Sequence, residues 1–172
     1  LINNYKSKNL HSSIIFYGPK GVGKKLFINK LIKEIFKINF ENNNYLHHIN
    51  LFNNNTHPNI KTIERLIDQK SKKLKSNIVI EQIRNLKKFL NESNFIKGLS
   101  KFIIIDSVDD LNINSANSFL KTLEEPKKET YIFLISHQLS NLLPTIRSRC
   151  LKIKFNQHNY DNFKKILENY IN

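Results

Sequence analysis

One short stretch of the chain has the residue types and the spacing of a phosphate-binding loop. The string GPKGVGKK contains Gly18, Gly21 and Gly23, and Lys24 follows the last glycine. Glycines let backbone N–H groups turn toward an anion, and the lysine ammonium can reach the outer phosphates of a nucleotide. The next position in such loops carries a Ser or Thr that holds Mg²⁺, and this chain has Lys25 there. An ammonium group only donates hydrogen bonds, so Lys25 cannot coordinate a cation.

A second acidic motif follows a later apolar run. In the string FIIIDSVDD, Asp106 stands at the end of the run, where such an acid supports a bound metal ion. A Glu directly after it would activate water, but this chain has Ser107, whose hydroxyl stays protonated and is a poor base. Asp109 and Asp110 lie past the run, and we expect them to cap or solvate the following turn. We therefore predict at most weak ATP binding, no turnover and no required cofactor.

Three continuous apolar runs are predicted to be the strands that position these motifs. Runs without alternation are typical of central strands in a parallel sheet that helices cover on both faces. Helical patterns lie between them, and strands that alternate with helices predict an α/β fold. The predicted strands are Ile14 to Tyr17, Phe102 to Ile105 and Tyr131 to Ile135, and the predicted helices cover 27–36, Glu81 to Leu90 and 116–123.

The ends and the connections are less regular. We expect Ser115 to cap the helix over 116–123 and Pro126 to stop it. Between Glu41 and Asn77 the pattern is uncertain. The asparagine triplets at 42–44 and 53–55 predict loops, and Lys70 to Lys75 predicts a solvated basic stretch.

Length and composition limit the alternatives. The chain has 172 residues, which is enough for one domain with a core, and its formal net charge is +14. This charge is compatible with a nucleic-acid or polyphosphate partner, but it also reflects a composition rich in Lys and Asn, with Ala116 as the only alanine. Cys150 is the only cysteine, which excludes an internal disulfide and suits the cytoplasm. No apolar run approaches the roughly 20 residues of a membrane span, so we expect no membrane association.

Four motifs together resemble the clamp-loader subunits of the AAA+ family of bacterial DNA polymerase III. They are GPKGVGKK, FIIIDSVDDLN, ANSFLKTLEEP and LLPTIRSRC, in that order and at the spacing of that family. The resemblance covers about residues 11–155. It implies a P-loop NTPase core over residues 1–155 and, at 156–172, the start of a helical lid, with a helical pattern from Tyr160 to Ile171. A further collar domain is implied beyond it.

The resemblance also implies roles for individual residues. The string Ser148-Arg149-Cys150 implies that Arg149 acts in trans on ATP held by a neighbouring subunit. The lesser alternative is that Arg147 and Arg149 are plain surface cations. Ser136, with His137 as the alternative, matches a polar residue that senses the γ-phosphate. Cys150 is expected to be buried rather than nucleophilic.

Other members of the clamp-loader family differ from this chain at two positions and in one module. The ATP-hydrolysing gamma/tau subunits carry Ser or Thr at position 25 and Glu at position 107, so this chain resembles the non-hydrolysing kind. A four-cysteine zinc module of the family is absent, and His47, His48 and His57 are expected to be loop residues rather than metal ligands. The implied partners are the gamma/tau and delta subunits and, through the complex, the sliding clamp and primer-template DNA. The alternatives are an active gamma/tau-type ATPase and a small-molecule P-loop kinase, whose substrate-binding motifs we do not find.

Overall fold

A computed structural model describes residues 1–40, 42–92, 95–96 and 98–157 of the chain. Five strands form one sheet in the order β2-β3-β4-β1-β5, and every neighbouring pair is parallel. The carboxyl ends of the strands therefore meet at one edge of the sheet, where ligands of open α/β sheets bind. The strands are β1 (Ser13–Tyr17), β2 (Ile60–Glu64), β3 (Lys101–Asp106), β4 (Thr130–Ser136) and β5 (Leu151–Lys154).

Helices cover both faces of this sheet. Side chains of β1 show the alternation: Ile15 packs with Phe119 in one apolar cluster, whereas Phe16 packs with Ile28 in the other. Because β1, β3 and β4 are buried on both faces, their sequences are continuous apolar runs. The predicted α/β fold with a parallel sheet is confirmed. The helices are α1 (Ile2–Lys6), α2 (Lys24–Asn39), α3 (Asn42–Asn53), α4 (Ile80–Asn91), α5 (Ile113–Glu124) and α6 (Pro144–Arg147).

The segment between Glu41 and Asn77 is more ordered than the sequence indicates. The prediction of loops at 42–44 and 53–55 is wrong for residues 42–44 and for position 53, because α3 begins at Asn42 and ends at Asn53. Apolar side chains spaced four and three residues apart, Tyr45, Ile49 and Phe52, pack into the same cluster as α2 and hold this helix. Strand β2 follows it, and the basic stretch at 70–75 is exposed, as expected.

The start of α5 differs from the expectation. Ser115 is not the cap of α5, because Asn112 is the N-cap and accepts a hydrogen bond of 2.8 Å from the Ser115 N–H. Ser115 is instead buried, and its hydroxyl donates to the Ile78 carbonyl at 2.9 Å. The helical pattern from Tyr160 to Ile171 lies outside the described residues. Within the described ranges, no helix is long and apolar enough to cross a membrane.

Lys101 is a buried lysine at the start of β3, which the sequence did not lead us to expect. Its ammonium donates to the carbonyls of Phe89 and Glu92 at 2.6 and 2.7 Å. The nitrogen also lies 4.7 Å from the centre of the Phe89 ring. Burial lowers the pKa of Lys101. The side chain thus supplies donors to the carboxyl end of α4, where helix carbonyls lack partners.

Candidate functional site

The glycine-rich loop lies between β1 and α2, at the carboxyl edge of the sheet. Gly18, Gly21 and Gly23 have φ angles of 146°, 85° and 90°, which residues with side chains rarely adopt. A Cβ atom on Gly18 would lie 2.0 Å from the Phe155 carbonyl oxygen, so only glycine fits there. Gly23 precedes the first residue of α2, which directs the positive end of the helix dipole at the loop. This geometry can hold an anion, and a role of these glycines in nucleotide binding stays a prediction.

Lys24 is folded back onto the loop. Its side chain is buried, and its ammonium donates to the Gly18 and Pro19 carbonyls, both at 2.6 Å. Burial lowers the pKa of Lys24, while the carboxylates of Asp109 and Asp106 oppose this change. The ammonium thus closes the loop on itself, and it would have to leave these carbonyls to reach a phosphate.

Lys25 occupies the position that matters most for metal chemistry. Its ammonium lies 3.0 Å from an Asp106 carboxylate oxygen and 3.1 Å from a Glu64 carboxylate oxygen. Burial would lower the pKa of Lys25, but hydrogen bonds with Asp106 and Glu64 outweigh it and raise the pKa. The lysine is therefore charged at neutral pH. The acidic motif that would support Mg²⁺ is paired with an ammonium of the chain itself.

The residues after Asp106 connect the ends of β3 and β4 through side-chain hydrogen bonds. Ser107 hydrogen-bonds through its hydroxyl to the Asp109 carboxylate and also caps a short 3₁₀ turn. The same carboxylate accepts from the Ser136 hydroxyl at 2.9 Å and from the His137 and Gln138 N–H groups at 2.7 and 3.2 Å. The expectation that Asp109 merely caps or solvates a turn is therefore wrong, because its carboxylate cross-links two strand ends.

Asp110 and the residues after β4 complete this edge of the sheet. Asp110 forms an ion pair of 3.1 Å with Arg65 instead of only facing water. Ser136 is fully buried at the end of β4, and its hydroxyl donates a hydrogen bond to the Asp109 carboxylate. The Nδ1 atom of His137 is buried without a hydrogen-bond partner among the described residues. The role of Ser136 or His137 in sensing phosphate stays a prediction.

Arg149 lies at the opposite end of the sheet from the glycine-rich loop. It precedes β5, whose first residue, Leu151, pairs with Ile14 near the start of β1. The guanidinium is held by Glu124 of α5 at 2.5 Å and by the Thr145 carbonyl at 2.9 Å. A strand rises about 3.3 Å per residue, so the length of β1 separates this arginine from the loop of its own chain.

Two neighbours of Arg149 differ from it in surroundings. Arg147 ends α6, and its Nε atom is buried without a hydrogen-bond partner among the described residues. Cys150 is buried, and burial raises the pKa of its thiol to about 12. A thiol that stays protonated is a poor nucleophile, so the expectation of a buried, unreactive cysteine agrees with its surroundings.

The imidazole rings of the three histidines His47, His48 and His57 contact one another. His47 and His48 lie on α3, so the expectation that they are loop residues is wrong. His57 is buried and stacks on Phe36 with 4.9 Å between ring centres. Burial lowers the pKa of His57 to about 4, and the nearby His48 and His47 contribute a smaller part of this change. Among the described residues, no group of three or more metal-binding side chains occurs.

Comparison with known proteins identifies the family. Residues 1–159 match the family described as DNA polymerase III, delta subunit. The chain belongs to this family. A relative from Buchnera aphidicola subsp. Acyrthosiphon pisum, called DNA polymerase III subunit delta', is 30% identical over 161 residues, which is 90% of this chain and 46% of the relative.

A further relative and a solved structure are also similar to this chain. A subunit delta' from Pseudomonas aeruginosa is 43% identical over 75 residues, which cover 44% of this chain and 23% of the relative. The chain thus spans less than half the length of both relatives. The crystal structure of a DNA polymerase III gamma subunit-related protein from Thermotoga maritima has a TM-score of 0.67 at 21% identity, covering 98% of this chain and 49% of that protein. At this identity the likeness shows the fold.

In this member of the DNA polymerase III delta subunit family, two acidic residues of the site were missed from the sequence. Glu64 ends β2 and pairs with Lys25, 39 residues away. Glu124 ends α5 and pairs with Arg149, 25 residues away. The available signals were weak: a single acid after Ile63 for Glu64, and an acid within the LKTLEEP string for Glu124.

Proposed function

We propose that the chain is the P-loop module of a clamp-loader subunit that helps to load the sliding clamp onto primer-template DNA and does not hydrolyse ATP itself. The observation that carries this proposal is the Lys25 ammonium, 3.0 Å from the Asp106 carboxylate. In hydrolysing P-loop proteins the corresponding acid supports Mg²⁺, which neutralises charge on the transferred phosphate. Because the Lys25 ammonium occupies this place, Asp106 has no open position beside it for a metal ion.

The missing base supports the same conclusion. Ser107 stands where a hydrolysing subunit has Glu, and its hydroxyl is engaged with the Asp109 carboxylate. A hydroxyl that is tied to a carboxylate and has a high pKa does not take a proton from water at neutral pH. The alternative of an active gamma/tau-type ATPase therefore has two chemical obstacles, one at the metal and one at the base.

Arg149 is the residue through which the chain would act on ATP. Its position at the end of the sheet opposite the glycine-rich loop, and its exposure of about one third, suit a contact with a neighbouring subunit. A guanidinium is permanently charged and stabilises charge that develops on a γ-phosphate. In this proposal the Glu124 carboxylate holds the Arg149 guanidinium until the neighbouring subunit is present. The γ-phosphate belongs to the adjacent subunit.

The partners follow from the proposed complex. They are the gamma/tau and delta subunits, the sliding clamp and primer-template DNA, with the complex working in the cytoplasm. The net charge of +14 favours approach to the anionic DNA backbone. Assembly would also use parts of the protein beyond this chain, since the chain spans less than half of its relatives.

A reconstitution experiment tests the proposal. The full-length protein that contains this chain is mixed with the clamp-loader ATPase subunits of the same organism, and the assembly is followed by gel filtration and clamp loading. We expect a stable complex whose loading is lost when this protein is omitted. As a matched pair, Lys24→Ala in this protein should leave the loading rate unchanged, whereas the corresponding change in an ATPase subunit should lower it. Failure to assemble, or loss of loading with Lys24→Ala here, would contradict the proposal.

A further inference from the structure

The Lys25 ammonium joins three elements at one point. Glu64 and Asp106 are the last residues of β2 and β3 and lie directly opposite each other in the parallel register. Lys25 comes from the first turn of α2 and lies 3.1 and 3.0 Å from their carboxylate oxygens. In the described part of the chain, neither carboxylate has another hydrogen-bond partner. The nitrogen therefore marks the place where these two acids hold a cation.

Two carboxylates at neighbouring strand ends repel each other unless a cation lies between them. The lysine supplies one positive charge against their two negative charges, at 3.1 Å from Glu64 and 3.0 Å from Asp106. Asp106 is 21% exposed, while Lys25 and Glu64 are about half exposed. The cluster is thus partly shielded from water on the side of Asp106. The side chains of Lys25 and Glu64 are open to water.

We propose that Lys25 is an internal cation that replaces a divalent metal ion between α2, β2 and β3, so that this edge of the sheet stays assembled without Mg²⁺ or nucleotide. Glu64 is the second carboxylate of the site, and the pair becomes a divalent-cation site when the ammonium is removed. The inference deepens the proposed function and rests on the same loop. It is tested without nucleotide or partner subunits, so the two proposals can fail separately.

The geometry supports an exchange of one cation for the other. Mg²⁺ binds carboxylate oxygens at about 2.0–2.1 Å and keeps several waters, so small side-chain movements of about 1 Å would close the present distances around a metal ion. The half-exposed lysine can swing into water, but its tether keeps it close to the acids. A free divalent ion must therefore displace a cation that never diffuses away, which lowers its apparent affinity.

The test measures divalent-cation binding directly, with Mn²⁺ as the probe because free Mn²⁺ has an electron paramagnetic resonance signal. The wild-type chain and Lys25→Arg, which keeps the positive charge, should bind Mn²⁺ weakly. Lys25→Thr and Lys25→Gln should each bind one Mn²⁺ per chain at least about tenfold more tightly, since both remove the competing charge. Adding Asp106→Asn to Lys25→Thr should abolish this gain, and Mg²⁺ should compete for the gained site.

Thermal unfolding provides the second measurement. The melting temperature of the wild type should be the same in EDTA and in Mg²⁺. For Lys25→Thr in EDTA it should fall by about 1–4 °C, and Mg²⁺ should restore it. The proposal is overturned if Lys25→Thr and Lys25→Gln bind Mn²⁺ no better than the wild type, or if the wild type itself binds it as tightly as they do. A lower melting temperature that Mg²⁺ does not restore would assign Lys25 to an ordinary surface ion pair and would also overturn it.

Discussion

The imidazole of His57 is enclosed by Phe36 on one side and by His48 on another, and only 3% of the residue is exposed. Its Nδ1 atom accepts the Asn59 N–H at 3.2 Å, and its Nε2 atom has no hydrogen-bond partner among the described residues. Burial and then the neighbouring His48 and His47 lower its pKa from 6.5 to about 4. Protonation of His57 should therefore oppose folding.

The sign of the pH dependence follows from the lowered pKa. Above pH 6.5, His57 is neutral in both states, and its contribution to stability is fully present. As the pH falls from 6.5 to about 4, the unfolded chain takes up a proton that the folded chain does not, so the free energy of unfolding decreases. A pKa difference of this size corresponds to about 3 kcal/mol.

Urea unfolding followed by circular dichroism tests this reasoning. His57→Gln keeps an acceptor for the Asn59 N–H and cannot titrate. The stability advantage of the wild type over this variant should shrink by about 2–3 kcal/mol between about pH 7 and about pH 4.5. His11 is the matched control, because its Nδ1 atom accepts the Ser13 N–H at 3.1 Å in the same way but the residue is exposed. His11→Gln should keep the wild-type pH dependence. If the advantage over His57→Gln is the same at both pH values, the reasoning is refuted.

Three further predictions concern other parts of the molecule. Arg149→Ala in the full-length protein should leave assembly intact and sharply lower hydrolysis at the one adjacent ATP site, since arginine fingers contribute on the order of 10³–10⁵ in rate; Arg147→Ala should do less. Clamp- and DNA-stimulated ATPase of reconstituted complexes measures both, and normal rates for Arg149→Ala with slow rates for Arg147→Ala would show that the wrong arginine was assigned. Elemental analysis of the purified chain should find no stoichiometric zinc, and one zinc per chain would mean that histidines form a site. Lys101→Met should lower the free energy of unfolding by about 2–4 kcal/mol, because it removes the donor of two partly buried hydrogen bonds, to the Phe89 and Glu92 carbonyls. Unchanged denaturant stability would contradict this role.

The central strands were predictable because burial on both faces leaves a continuous apolar signature. The two edge strands were not. In β2, the buried residues Ile60 and Ile63 lie three positions apart and lack the two-residue period of a strand, and β5 consists of Leu and Ile alternating with Lys. Strings this short are weak signals for a strand. Helix α3 was missed because asparagine favours turns locally, whereas packing against α2 stabilises the helix.

The site was predictable only in part, for a physical reason. The order of motifs along the chain was enough to bring Lys25 and Asp106 to the same edge of the sheet, since both follow parallel strands. It did not show that the two would form an ion pair, or that Glu64 would join them, because that depends on β2 lying next to β3. Likewise, Asp109 reads as a turn residue until β3 and β4 are placed side by side.

ATP hydrolysis by the purified protein alone tests the central claim most directly. The preparation must be free of other ATPases, and the Lys24→Ala variant serves as the baseline. Because an ammonium stands at the metal position and Ser107 replaces the base, the wild-type protein should hydrolyse ATP no faster than Lys24→Ala, with Mg²⁺ and with or without DNA. Magnesium-dependent hydrolysis above that baseline would contradict the claim that this P-loop does not turn over ATP.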